Sequence, residues 1–153
     1  MSMFANRLEA AECLAERLAA YRGTHPLILA VPRGGVPMGE VLADRLDGEM
    51  DVVLVRKLGA PGNPEYAIGG VATGATLLAA LRSVRRSKPE RVIAAVGVAP
   101  SDTLARLNVA ADEVVCLDAP VDFYAVGEYY ADFSEVSDAQ VVDILRRHPG
   151  ERV

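Results

Sequence analysis

The chain has 153 residues, 51% of them hydrophobic and 24% charged, which is apolar content enough for one compact core and predicts a single domain over 1–153. A formal net charge of -5 argues against a large nucleic-acid footprint, because faces that hold phosphate backbones concentrate Lys and Arg. Met1 to Tyr21 is interrupted by Arg7, Glu9, Glu12, Glu16 and Arg17, which excludes the apolar core of a signal peptide, and no stretch reaches the ~18 apolar residues of a membrane span; a soluble, cytoplasmic protein is expected.

From Asn6 the apolar residues Leu8, Ala11, Leu14, Ala15 and Leu18 recur at helical spacing, with Asn6 and Glu9 as a capping pair and Gly23 as a stop, so a first helix is predicted over Arg7–Tyr21. Leu27–Val31 is a short apolar run between prolines and predicts a strand buried on both faces. A tight loop at Arg33, Gly34 and Gly35 then leads into a helix over Val36–Leu46, and Asp51–Val55 reads as a second buried strand. Strand, loop, helix and strand in so few residues is the pattern of a βαβ unit, so the two strands should be parallel.

Further on, Leu77–Arg86 is predicted as a helix, Val92–Val98 as a strand, Asp102–Asn108 as a helix capped by Ser101, and Val114–Leu117 as a strand. From Ser137 a last amphipathic helix carries Val141, Val142 and Leu145. This alternation predicts an α/β fold with an open, mostly parallel sheet flanked by helices. Cys13 and Cys116 stand far apart in apolar surroundings with no second thiol or histidine at ligand spacing, so they read as buried structural residues. His25 reads as a surface residue ahead of Pro26, and His148 as the fraying end of the last helix.

In open parallel sheets ligands bind beyond the carboxyl ends of the strands, where helix N-termini offer unpaired N–H donors and the positive end of the helix dipole. Two loops have that character. Pro32, Arg33, Gly34 and Gly35 follow a strand and open a helix: the glycines permit close approach of an anion and Arg33 supplies a fork of donors, although a tight βα turn would explain the same tetrapeptide. Ala72, Thr73, Gly74, Ala75 and Thr76 precede the next helix, where small side chains leave backbone amides bare and two hydroxyls can reach phosphate oxygens; an ordinary helix cap looks much the same. Between them Arg56 and Lys57 enter a stretch rich in Gly and Pro, which reads as a mobile basic loop beside an anion site. No lysine follows the glycine as in a Walker loop, and no Gly-x-Gly-x-x-Gly supports a dinucleotide fold.

Taken together, Val31-Pro-Arg-Gly-Gly35, Val55-Arg-Lys-Leu-Gly-Ala-Pro-Gly-Asn-Pro-Glu65 and Ala72-Thr-Gly-Ala-Thr76 resemble the type I phosphoribosyltransferase family, in a bacterial branch, over essentially the whole chain. The resemblance implies that the Arg33 loop holds pyrophosphate, with the Gly34 and Gly35 amides and Arg56 nearby. It implies that Thr73, Gly74, Ala75 and Thr76 hold the ribose 5-phosphate, and that Lys57 reaches the pyrophosphate from a closing loop; Arg33 and Lys57 would be the catalytic pair. It also implies a cis peptide near Pro32 and Arg33, against which a trans bond there would count, Mg²⁺ bound with the 5-phosphoribosyl 1-pyrophosphate donor, a nitrogen base as acceptor, and a homodimer. Tyr129, Tyr130, Asp132 and Phe133, with Val126 and Gly127, resemble more loosely the segment that covers the base; core packing of the tyrosines explains them equally well.

The chain departs from the family where a pair of acids should precede the phosphate loop: the residues there are Ala67, Ile68, Gly69, Gly70 and Val71. The acids orient the ribose hydroxyls and the magnesium shell while the sugar carbon develops positive charge. A parallel crossover also needs about a dozen residues and usually a helix, yet only the Gly- and Pro-rich stretch separates Val55 from Tyr66. A segment is therefore expected to be absent between about Gly70 and Ala72. A mobile hood skipped by the sequence is favoured over a true deletion, which a polypeptide mass near 16.3 kDa would establish. The function expected is phosphoribosyl transfer to a nucleobase with release of pyrophosphate. The rival is a noncatalytic module that senses a phosphoribosyl compound or nucleotide. A phosphate-ester hydrolase ranks below both, because neither histidine lies on a site loop.

Overall fold

The computed structural model describes residues 3–54, 75–120 and 126–148. The chain divides into two compact units, Met1–Val53 with Gly127–Val153 and Leu54–Val126.

In the first unit α1 (Arg7–Arg17) opens on Asn6, whose side chain accepts the Glu9 N–H at 3.0 Å, the predicted cap. The helix ends sooner than predicted: Leu18 leaves it, and Ala19–Tyr21 forms a 3₁₀ turn before Gly23 at φ +90, a conformation that suits a residue without Cβ. β1 (Leu27–Ala30), α2 (Gly35–Arg45) and β2 (Glu49–Val52) follow. β1 and β2 pair in parallel with Leu27 opposite Glu49 and Ala30 opposite Val52, so the second strand starts two residues earlier than predicted. Nor is β1 buried on both faces: only Ala30 is buried, while Leu27 at the strand's surface end stays exposed.

Ala30, Val36, Ala43, Met50 and Ile144 form the unit's core, with Ile28, Val52 and Val141 half-buried against it. Burying side chains of the size of Val36, Met50 and Ile144 stabilises a fold by roughly 1.5–3 kcal/mol each. α2 lies very close to the sheet, since a Cβ on Gly39 would come within 3.0 Å of Ala30 Cβ and 3.1 Å of Met50 Cε. α5 (Asp138–Arg147) completes the unit and is capped by a reciprocal pair: Ser137 accepts the Gln140 N–H and the Gln140 side chain accepts the Ser137 N–H. It buries Ile144 and half-buries Val141, whereas Val142 is exposed; three residues of helix carry Val141 to Ile144 on one face, and Val142 turns away. His148 is not a fraying end. Its side chain is 16% exposed and lies 3.1 Å from Glu40 on α2, to which Arg147 also donates at 2.9 and 3.0 Å.

The described part of the second unit comprises α3 (Ala75–Arg86), β3 (Ile93–Val98), α4 (Ser101–Ala110) and β4 (Glu113–Asp118). β3 and β4 pair in parallel, Ile93 opposite Glu113. Leu81, Val92, Ala94, Leu107 and Ala111 form its core. Pro100, extended at ψ 152, occupies the cap position of α4, so Ser101 is the first helical residue and not the predicted cap. Among the described residues the parallel strands thus make two sheets of two, one per unit, where the sequence predicts one open sheet. Neither Cys13 nor Cys116 is in a disulfide and both are half-buried, less enclosed than predicted; the Cys116 thiol donates to the Asp118 carbonyl at 3.1 Å. No helix among the described residues is long and apolar enough to cross a membrane.

Candidate functional site

The Arg33 loop begins where β1 ends and finishes at the first residue of α2, the position at which a parallel βα unit presents a helix N-terminus. The Pro32–Arg33 peptide is cis, as the resemblance implies. Gly34 occupies the cap position of α2 and has no side chain to spend on it. Two backbone bonds close the turn: the Gly35 N–H donates to the Val31 carbonyl and the Val36 N–H to the Arg33 carbonyl, each at 3.1 Å. The Gly35 amide, assigned to an anion on sequence grounds, is therefore engaged within the turn, and the Gly34 amide takes no part in these two bonds.

The Arg33 side chain is 44% exposed and meets two carboxylates from the approach to α5: Nη2 donates to Glu135 at 2.6 Å, and Nη1 lies 3.6 Å from Asp138. Glu135 and Asp138 are themselves 80% and 87% exposed.

A second arginine, missed in the sequence reading, packs beside the loop at Gly34. Arg7 stacks over the Phe133 ring at 3.9 Å and donates to the Ser134 carbonyl at 2.6 Å, and a Cβ on Gly34 would lie 3.3 Å from its Nη2. Burial lowers the Arg7 pKa, with the Tyr130 and Asp132 charges opposing. Its signal was available: Arg7 precedes Ala11 and Leu14 by four and seven residues, which puts a cation on the helix's buried face. A buried carboxylate, Asp51 on β2, was likewise read only as part of a strand; it is 4% exposed and accepts the Val52 N–H at 2.8 Å.

Tyr130 is buried, with its ring 5.4 Å from Phe4 and 4.9 Å from Phe133. The chain around it is tied to the N-terminal segment, Phe4 pairing with Tyr130 while the Ala131 and Asp132 N–H groups donate to Phe4 and Ala5 carbonyls at 2.8 Å. Asp132 accepts the Ser134 N–H at 3.0 Å and its hydroxyl, and these bonds hold its carboxyl below the usual range. Phe133 keeps 38% of its surface exposed. Tyr130 thus has a packing role in this unit, while Phe133, with Arg7 over its ring, is the more exposed of the two.

Of the second loop, Ala75 and Thr76 open α3, so the helix starts two residues before the predicted Leu77. Arg56, Lys57, Thr73 and Gly74, and the expected gap near 70–72, lie outside the described residues. Among the described residues no three His, Cys, Asp or Glu side chains converge to hold a metal ion, so this part of the chain offers no protein cage for Mg²⁺.

No family model matches the chain. Two Mycobacterium tuberculosis proteins, from strains CDC 1551 / Oshkosh and H37Rv, each described as "Putative phosphoribosyl transferase", are 32% identical to it over 96% of its length. The chain spans about half the length of these relatives, 47%, and the matched stretch runs over 209 residues, more than this chain possesses. The crystal structure of TT1426 from Thermus thermophilus is 37% identical, with a TM-score of 0.86, covering 98% of this chain and 100% of that one. The mycobacterial names support a phosphoribosyltransferase family for this sequence.

Proposed function

We propose that this chain, which belongs to the same family as Thermus thermophilus TT1426, binds 5-phosphoribosyl 1-pyrophosphate and transfers its phosphoribosyl group to a nitrogen base, releasing pyrophosphate. The observation that carries the reading is the Arg33 loop: an accessible guanidinium at the carboxyl end of a parallel strand and the N-terminus of the next helix. In this reading Arg33 and the Gly34 amide take the pyrophosphate, Lys57 and Arg56 close on it, and Thr73, Gly74, Ala75 and Thr76 anchor the 5-phosphate. Fixing both ends of the donor makes displacement at the sugar carbon a matter of alignment. Phe133, 38% exposed beneath Arg7, is the more accessible ring of the Tyr130–Phe133 pair and the one offered to a base. Mg²⁺ would arrive on the donor's phosphates.

A second reading is favoured by one observation, the stretch Ala67–Val71 without acids, together with a match to relatives longer than the chain itself. If the polypeptide lacks the acidic segment, the same loops would serve a noncatalytic module that binds phosphoribosyl compounds.

Calorimetry and turnover separate the two. The donor should bind the wild-type chain in the presence of Mg²⁺, and Arg33→Ala should weaken that binding by about tenfold or more, the usual loss for a charge-assisted contact. Pyrophosphate release with any member of a panel of bases supports the transferase; binding without release supports the module. Equal donor affinity in wild type and Arg33→Ala would remove the basis of both.

A further inference from the structure

The two carboxylates on Arg33 are themselves exposed and lie outside the turn that shapes the loop. A cation between two such acids is a poor receptor for a polyanion, because the three side chains together carry net negative charge. Yet the arrangement is anchored: α5 is held to α2 at its far end by Arg147 and His148 on Glu40, and its near end is fixed by the Ser137 and Gln140 cap. Asp138, the first residue of α5, is therefore carried to Arg33 by a helix tied to the very element that Arg33 precedes, and Glu135 lies three residues ahead of it.

We propose that Glu135 and Asp138 are part of the anion site and determine what it accepts: they are tethered counter-ions of Arg33 that an incoming anion must displace. The inference rests on the reading of Arg33 as an anion ligand. Exposed ion pairs are cheap to break, so the displacement is a threshold and not a block. Nη2 is hydrogen-bonded to one carboxylate at 2.6 Å and Nη1 lies 3.6 Å from the other, and the anion best able to replace both is one with several charged oxygens, such as a pyrophosphoryl group. A ligand offering one weak oxygen contact leaves the acids in place. Apparent affinity is then the intrinsic affinity multiplied by the fraction of time Arg33 is free.

The test is calorimetric titration of inorganic pyrophosphate into the full chain and into Glu135→Gln, Glu135→Gln/Asp138→Asn and Arg33→Ala. The double variant should bind about two- to tenfold more tightly than wild type, as expected for removing two competing exposed pairs, and Glu135→Gln alone should give part of that gain. Glu135 lies outside α5, so the single variant keeps the helix intact, which circular dichroism checks. Unchanged or weaker binding in both acid variants, with Arg33→Ala still impaired, overturns the competition and leaves the anion site standing. If Arg33→Ala binds pyrophosphate as wild type does, it is the reading of the loop that fails.

Discussion

Around β1 and β2, α5 reaches α2 through Arg147 and His148 on Glu40 and reaches the loop ahead of α2 through Arg33; around β3 and β4, α4 is seated by Leu107 and Ala111 against Val92 and Ala94. Both units have an apolar core, but among the described residues the ion pairs of the first join the start of α5 to the loop proposed to meet a ligand, whereas the Arg85–Asp112 pair of the second joins α3 to the residues before β4. The difference has a physical consequence. An exposed ion pair can be exchanged for a charged ligand at a cost of about 0–1 kcal/mol, while an apolar contact has nothing to exchange with an anion. In the first unit the exchangeable contact lies on the Arg33 loop itself, where the polyanion is proposed to bind.

The contrast is broken most severely at Leu107, which is fully buried in the second unit. Leu107→Ala removes the side chain on which α4 rests and leaves a cavity beside Leu81 and Val92, and should cost about 2–5 kcal/mol in urea unfolding. Hydrogen exchange should show lost protection in β3 and β4 before β1 and β2. A uniform loss over both units would mean that they unfold as one body, so that local packing does not decide local stability.

The smaller test is acid. Glu40 is 21% exposed, and its carboxyl is held below the usual range, first by hydrogen bonds from Arg147, with burial opposing and His148 adding to the effect. Because the folded pKa is depressed, the contribution is complete above the ordinary value of 4.5 and is lost as pH falls through the lower folded value. Glu40→Gln should cost about 1–2 kcal/mol near neutral pH, between the values for exposed and buried pairs, and should flatten the acid side of the stability profile. An acid limb unchanged by Glu40→Gln would show that the α2–α5 link contributes nothing to stability. Among the described residues of the second unit Asp112 is held low chiefly by the Val92 N–H at 2.7 Å, so its acid limb should persist in the variant.

How much of this was legible in the sequence depended on distance along the chain. Asn6 capping Glu9, the helical repeat of Leu14 and Ala15, and the parallel pairing of β1 with β2 arise from neighbours or from a short crossover, and local patterns carry them. The Pro32–Gly35 loop was legible as a βα connection because turn residues stand between a strand run and a helix run. The partners of Arg33 were not, since Glu135 is 102 positions away and nothing in its own neighbourhood marks it as a counter-ion. Arg7 is hard to read from sequence because the apolar repeat of α1 masks a cation on the same face. Ser101 failed for a different reason: Pro100 already has the extended backbone of a cap position, so the helix could begin one residue early.

The finest test concerns how firmly α5 presents Glu135 and Asp138. Ser137 accepts the Gln140 N–H at 3.2 Å, and Gln140 returns the bond at 2.8 Å, so the first turn of the helix is closed from both sides. Ser137→Ala removes one of the two bonds and should cost about 1 kcal/mol of stability, measured by thermal unfolding. It leaves Arg33, Glu135 and Asp138 chemically intact. If the acids compete for Arg33 because the capped start of α5 holds Asp138 and the Glu135 before it in place, a frayed first turn should also tighten pyrophosphate binding, by less than the Glu135→Gln/Asp138→Asn variant does. Stability lost with pyrophosphate affinity unchanged would mean that the carboxylates find Arg33 without the cap, through the flexibility of their own side chains.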